Sequence, residues 1–190
     1  MPATTRAESS QRVRDAIVTA TVRIVAREGV AAVTHRRVAA EADVALSSTT
    51  WHYATKADIL EAALVSTAEH EVAGIAAIAD RHVEFDVPAW ADELADWLLE
   101  QVGAEREVTV ALYRLQAELL GTEGALAVHR EWARGLRALG DHVLGEASAI
   151  DVRLVIAALD GLRISALASG DVDADGLRRA VRRQLEALLG

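Results

Sequence analysis

The sequence predicts an all-α fold in two parts, a small N-terminal three-helix unit and a larger helical body. Three observations carry this. Apolar residues recur at helical spacing along the chain, and no strand-like alternation interrupts them. Two prolines and one phenylalanine among many Ala, Leu and Val favour helix over sheet. Apolar residues make up 52% of the 190 positions, enough for a real core.

Residues 1–9 are polar and expected to be a disordered arm, in which Arg6 either is solvated or reaches a minor groove. The first helix is expected from about Ser10 to Glu28. Val13, Ile17, Ala20, Ile24 and Val25 form its apolar face, and Gly29 ends it. From Thr34 to Leu60, two short helical pieces are separated by a tight turn and a third helix follows. Thr34 is a good N-cap, since its hydroxyl can accept a free amide of the first turn. Val38, Ala39 and Ala42 share one face, and Asp43 sits at the turn, where Asp tolerates a left-handed backbone. The second piece, about Leu46–His52, is crowded with Ser47, Ser48, Thr49 and Thr50. These are mediocre helix formers, so neighbours must hold the helix, and its outer face is dressed for hydrogen bonds. That is the pattern of a helix-turn-helix, whose second helix enters the major groove of DNA. Thr55-Lys56-Ala57-Asp58 reads as a capping box with Asp in place of Glu. It opens a helix through Ile59, Leu60, Ala63, Leu64 and Ala68 to about Ala79, connecting the two parts.

Asp80–Val87 is a polar break, and Pro88 suits the first turn of the next helix, which runs to about Val102 with Trp90, Leu94, Trp97 and Leu98 on one stripe. A helix over about 104–120 turns Val108, Leu112, Leu115 and Leu119 inward and is closed by Gly121. Another, over about 122–144, carries Leu126, His129, Trp132, Leu136 and Leu139. The last two are expected over about 149–168, stopped by Gly170, and about 174–189. The expected divisions are an arm at 1–9, a helix-turn-helix unit at 10–58 and a helical body at 59–190.

Several chemistries have no residues to stand on. There are no cysteines, which excludes disulfides and thiolate metal sites. His70 and His82 lie near Glu69, Glu71, Glu84 and Asp86 but not at metal-ligand spacing, so no metal is expected. No nucleophile elbow, Gly-rich phosphate loop or Cys/His pair is present, so no catalytic residue and no cofactor is assigned. Residues 1–11 lack the apolar segment of a leader, and no apolar run is expected to span a bilayer; the expected location is cytoplasmic.

The net charge of −9 argues against nucleic acid until it is divided. Residues 1–58 hold eight basic and six acidic side chains, and the remainder twelve and twenty-three. A mildly basic unit on an acidic body can dock DNA by one face while the body stays off it.

Ile17, Ala20-Thr21, Ile24-Val25, Gly29, Thr34, Val38-Ala39, Ala42-Asp43-Val44, His52-Tyr53, Lys56 and Ile59-Leu60 keep one register over roughly the first third of the chain. In that register the sequence resembles the TetR/AcrR-type transcriptional regulators. It departs from them at Asp43, where the turn usually has glycine, and at Ser47, a second position often held by glycine. Thr49 stands where a larger apolar residue usually packs inward. Thr50 stands where a phosphate-contacting tyrosine is common, so that role falls to Thr50 or Trp51.

The resemblance implies that Lys56, the sole lysine, contacts a phosphate at the start of its helix. Arg36 and Arg37 are phosphate contacts in this setting or else a solvated helix face. Ser47, Ser48, Thr50 and Trp51 point away from the face holding Thr49 and Tyr53, and are the candidate contacts to bases and backbone. His52 is a phosphate donor or a structural hydrogen-bonding residue, and outward Leu46 meets a thymine methyl or covers the turn. Thr34 completes the expected DNA-binding set. In the body, Trp90, Trp97, Tyr113 and Trp132 are core residues in the plainer reading. In resembling proteins the helices that carry them line an effector cavity. Arg114 and Glu118 are expected to form a surface i,i+4 pair. Asp160 and Arg163 interrupt an otherwise apolar helix and pair with each other or with a partner chain, or Asp160 faces a ligand.

Apolar residues cover nearly the whole circumference of the helix between Ile150 and Ala168, so both its sides must be buried, one by a second molecule. Leu177, Val181, Leu185 and Leu188 are expected to join it in a four-helix dimer interface, the arrangement resembling proteins use, with Ala158 and Gly161 allowing close approach. The expectation is a homodimeric DNA-binding regulator, a repressor released from a palindromic operator by a small-molecule effector. The rivals are a regulator of this fold without an effector and an all-α enzyme with an aromatic-lined cavity. The hydroxyl-rich helix followed by Lys56 argues against the enzyme.

Overall fold

The computed structural model describes residues 6–81, 86–144, 151–170 and 172–189. Among them the regular elements are all helical: α1 Arg6–Glu28, α2 His35–Glu41, α3 Leu46–His52, α4 Lys56–Arg81, α5 Val87–Val102, α6 Arg106–Leu119, α7 Glu123–Leu144, α8 Asp151–Ser169 and α9 Ala174–Leu189. One 3-10 turn, Val30–Ala32, links α1 to α2. The start of the expected arm, the centre of the polar break at 82–85 (with His82 and Glu84), and the expected beginning of α8 at 149–150 lie outside the described residues. α1 begins at Arg6, several residues inside the stretch expected to be an arm.

The chain divides into two compact units, Met1–Ala68 with Glu107–Val128, and Glu69–Arg106 with His129–Gly190. The first is built on α1. Ile17, Ile24 and Val25 meet Val38 of α2, Ile59, Leu60, Ala63 and Leu64 of α4, and Ala111, Leu112, Leu115 and Leu119 of α6. Burying each large aliphatic side chain contributes about 1.5–3 kcal/mol. Gly29 stops α1 with φ 87°, and its amide still reaches the Val25 carbonyl at 3.1 Å. Arg114 on α6 donates to the Val25 and Ala26 carbonyls, both at 2.8 Å, giving the Val25 carbonyl a second donor beside the Gly29 amide. The expected Arg114–Glu118 pair therefore gives way to a longer-range bond. Ala125 and Val128 of α7 pack on this core, whereas Leu126 and His129 are exposed. The Leu136 and Leu139 side chains lie outside the described residues.

The second unit gathers Ile78 and Ala79 of α4, Trp90, Leu94 and Leu98 of α5, Leu159 of α8, and Leu177, Val181 and Leu185 of α9. α9 packs on α5 and α8 of its own chain, and Arg178–Asp96 and Arg182–Asp92 ion pairs flank the α5 contact. This corrects the expectation that its apolar stripe faces a partner molecule: a stripe shows that a helix is covered, not by which chain. α8 behaves differently. Leu159 is buried, but Leu154 is 48% and Ile164 50% exposed, and Ala157, Gly161 and Ala168 are exposed on the same side.

α4 is long and apolar enough, by length and composition, to cross a membrane, contrary to the sequence expectation. In the fold Ile59, Leu60 and Leu64 lie in one core and Ile78 in the other, whereas Val65 is exposed. Glu69, His70 and Glu71 interrupt it between them.

Candidate nucleic-acid interface and effector cluster

The helix-turn-helix is assembled by local bonds that the residue types dictate. The Thr34 hydroxyl accepts the Arg37 amide at 3.1 Å and caps α2. Asp43 makes the turn with φ 52°, the sole non-glycine in the left-handed region among the described residues. α3 has no side-chain N-cap. Thr49 anchors it instead, fully buried, with its hydroxyl donating to the Leu46 carbonyl at 2.8 Å. His35 supplies a second anchor that the sequence reading missed. Its Nε2 lies 2.9 Å from the Tyr53 carbonyl, and because a carbonyl only accepts, that nitrogen carries the proton. The start of α2 is thereby tied to the residue that ends α3. The signal was available only as a histidine at the first helical position, which carries no indication of partner.

The capping box forms as expected. The Thr55 hydroxyl accepts the Asp58 amide at 3.2 Å, and the Asp58 carboxylate accepts the Thr55 amide at 2.8 Å. Lys56 is thus fixed at the first residue of α4.

The cations divide in two. Arg37 pairs with Glu28 at 2.7 Å and Glu41 at 3.0 Å, and Glu41 also holds Arg27. The Arg37 guanidinium is pushed up by the hydrogen bonds it donates to Glu28 first and Glu41 second, and Glu41 is pushed down by Arg27 first and Arg37 second. Arg37 is a strut between α1 and α2. Arg36 is exposed and makes no ion pair among the described residues, so it is open to phosphate.

On α3, Ser47 is exposed and Ser48 half-buried. The Thr50 hydroxyl turns back toward the Ser47 carbonyl at 3.2 Å and the Leu46 carbonyl at 3.4 Å. In this rotamer its proton is directed back within α3. Trp51 is 75% exposed and stands edge-on to His52, ring centroids 4.5 Å apart. Burial, and then the Arg14 charge, push His52 below its ordinary value. Leu46 is outward and exposed.

Of the five residues expected at a ligand, the structure brings three together. Arg163 of α8 and Glu71 of α4 are 3% and 4% exposed and lie 2.6 Å apart. Arg163 also pairs with Asp160 and donates to Gln101 of α5 at 2.5 Å. Its guanidinium carbon lies 5.8 Å from the Trp97 ring centroid, within cation–π range. The Trp132 indole nitrogen is buried beside Glu71 and falls short of a full hydrogen bond to it. Its ring stacks on His129, centroids 5.7 Å apart. Trp97, Trp132 and Asp160 therefore converge on Glu71 and Arg163. Trp90 does not: it is buried in the core with Leu94 and Leu98. Tyr113 does not either, since α6 belongs to the first unit. Burial pushes the Glu71 carboxyl up, and the attraction and hydrogen bond of Arg163 oppose that.

A braced helix-turn-helix that presents one short exposed helix, in a unit whose described regular elements are all helical, is the architecture of a DNA-binding transcription regulator. Comparison with known proteins agrees. Residues 17–63 match the family described as "Bacterial regulatory proteins, tetR family", and residues 86–190 match "Tetracyclin repressor-like, C-terminal domain". The chain belongs to the TetR family of transcription regulators.

Among solved structures it is similar to the multidrug binding protein EbrR complexed with ethidium, at 32% identity over 90% of this chain and 98% of that one, TM-score 0.70. A TetR-family member from Streptomyces coelicolor A3 is also 32% identical, covering 90% and 97%, TM-score 0.73. A TetR regulator from Haloarcula marismortui ATCC 43049 shares the fold at 24% identity, covering 95% and 100%, TM-score 0.72. No curated protein sequence matches the chain significantly.

Proposed function

We propose that this regulator is a homodimeric repressor, released from a palindromic operator by a small-molecule effector. The observation that carries the reading is α3 itself. It is a short helix held by Thr49 and by the His35–Tyr53 bond, with Ser47 and Trp51 exposed and Lys56 fixed just beyond it. Lys56, Arg36 and the Trp51 indole N–H contact phosphates, while Ser47 and Ser48 meet base edges. Trp51 takes the role left open by Thr50, whose proton is engaged within α3. Thr34 and Arg37 serve the interface from behind, as cap and strut.

The exposed side of α8 supports the dimer. Leu154, Ala157, Gly161 and Ile164 recur at three- and four-residue spacing and make an apolar stripe that a second copy would cover. A two-fold dimer sets two α3 helices about one helical turn of DNA apart, which makes the operator a palindrome. The effector is supported by the convergence of Trp97, Trp132 and Asp160 and by EbrR, a similar protein that binds ethidium.

Selection from random DNA followed by a mobility shift tests the reading. The expected outcome is an inverted repeat bound with a steep salt dependence. Recovery of no sequence, or of a single half-site bound by a monomer, would overturn it.

A further inference from the structure

α3 runs Leu46-Ser47-Ser48-Thr49-Thr50-Trp51-His52 and carries no Arg, Lys, Asn, Gln, Asp or Glu. It therefore lacks the side chains that single out guanine, adenine or cytosine by hydrogen bonding. Ser47 and Ser48 bring hydroxyls, which both donate and accept and so suit several base edges. His52 is half-buried and lies on the far side of the helix from Leu46 and Thr50.

Much of what α3 turns outward is apolar. Leu46 is its first residue, 48% exposed, with no polar atom in its side chain. Thr50 is exposed four residues on, and so shares its face. The Thr50 hydroxyl turns back to the Ser47 and Leu46 carbonyls. Hydroxyl and methyl share one tetrahedral carbon, so this rotamer keeps the hydroxyl against the helix and leaves the γ-methyl to face outward. The exposed Trp51 ring follows next along the helix. In the major groove one base offers such groups an apolar partner: thymine, through its C5-methyl. The first residues of a recognition helix are those that reach base edges.

We infer that Leu46 and the Thr50 γ-methyl form a thymine-reading patch, and that one base pair in each half-site is chosen by the thymine methyl rather than by a hydrogen bond. The inference rests on the DNA reading above and adds the base and the group by which it is recognised.

The test uses the full chain and the operator recovered by selection, with uracil placed for thymine at one position at a time. Uracil keeps every hydrogen-bonding group of thymine and lacks only the methyl. One thymine in each half-site is expected to matter. Its replacement should weaken binding about fourfold, and replacement in both half-sites about fifteenfold, by mobility shift. Leu46→Ala should bind the thymine and uracil operators alike. Thr50→Ser keeps the hydroxyl and loses the methyl, and should lower the preference for thymine, whereas Thr50→Val should retain it. Both positions are exposed, so the variants should stay folded, which circular dichroism checks. An operator at which no thymine-to-uracil change weakens binding would overturn the inference and leave the DNA reading standing. So would a folded Leu46→Ala protein that prefers thymine as strongly as wild type does. Recovery of no sequence would sink the DNA reading, and this inference with it.

Discussion

Arg163→Met is the substitution for which the structure gives the firmest arithmetic on stability. It keeps most of the side-chain volume and removes the charge. Glu71, 4% exposed, then keeps Trp132 and the Asp160 charge as neighbours and loses the cation that faced it. Breaking a buried pair from one side costs about 3–5 kcal/mol. For a chain of this length each kcal/mol moves Tm by about 2–4 °C, so the drop is roughly 6–20 °C near neutral pH. The Glu71→Gln/Arg163→Met double variant removes both charges and should come back to within about 1 kcal/mol of wild type. The pH dependence follows from Glu71. Burial already raises its carboxyl, and Arg163 holds the rise in check. Without Arg163 the folded-state value climbs further above the unfolded one. A raised folded value means that the native state binds the proton more tightly. Stability from that group is therefore full below the unfolded value of about 4.3 and is lost as pH rises through the folded one. The deficit of Arg163→Met against wild type should accordingly shrink on acidification from neutral to about pH 5. Thermal melts by circular dichroism at several pH values measure it. A deficit independent of pH, or a double variant as unstable as the single, would refute the reasoning.

Three further outcomes are expected. Lys56→Ala should weaken binding to operator and random DNA alike and lower the salt slope by about 1, whereas Ser48→Ala should change which bases selection recovers; mobility shifts on both DNAs measure this. Leu154→Glu or Ile164→Glu should give folded monomers by sedimentation and circular dichroism. Leu159→Glu and Leu185→Glu, which reach into the chain's own core, should unfold at a cost of several kcal/mol. His35→Ala should leave the Tyr53 carbonyl unsatisfied, cost about 1–2 kcal/mol, and reduce operator affinity without altering base preference.

What was legible in the sequence was local. The Thr34 cap, the Asp43 turn, the Thr55/Asp58 box and the inward faces of α1, α5 and α6 each follow from residues within one or two helical turns. What was not legible was the identity of distant partners. Nothing near Arg163 announces a glutamate on α4, and nothing near Arg114 announces the carbonyls that end α1. The stripe on α9 was read correctly as buried and assigned to the wrong chain, because periodicity fixes a face and leaves its neighbour open. The DNA-facing set was expected as a list; the geometry sorts it by hydrogen-bonding capacity. Arg37 and Thr50 are occupied, whereas Arg36 and Trp51 are exposed.

The core of the first unit takes Ala111, Leu112, Leu115 and Leu119 from α6, far downstream of the helix-turn-helix it supports. On the ribosome, the DNA-reading helices are made early and then wait. At about 5–20 residues per second, the interval between Ala68 and Val128 lasts roughly 3–12 s, during which Ile17, Ile59 and Leu64 lack their last cover. A nascent chain stalled in that window carries α3 in full but presents it on an unfinished support. The same dependence sets a rule for recombining this regulator's parts. A graft cut after α4 would transplant the motif without the helix that completes its core, and such a chimera should be prone to aggregation.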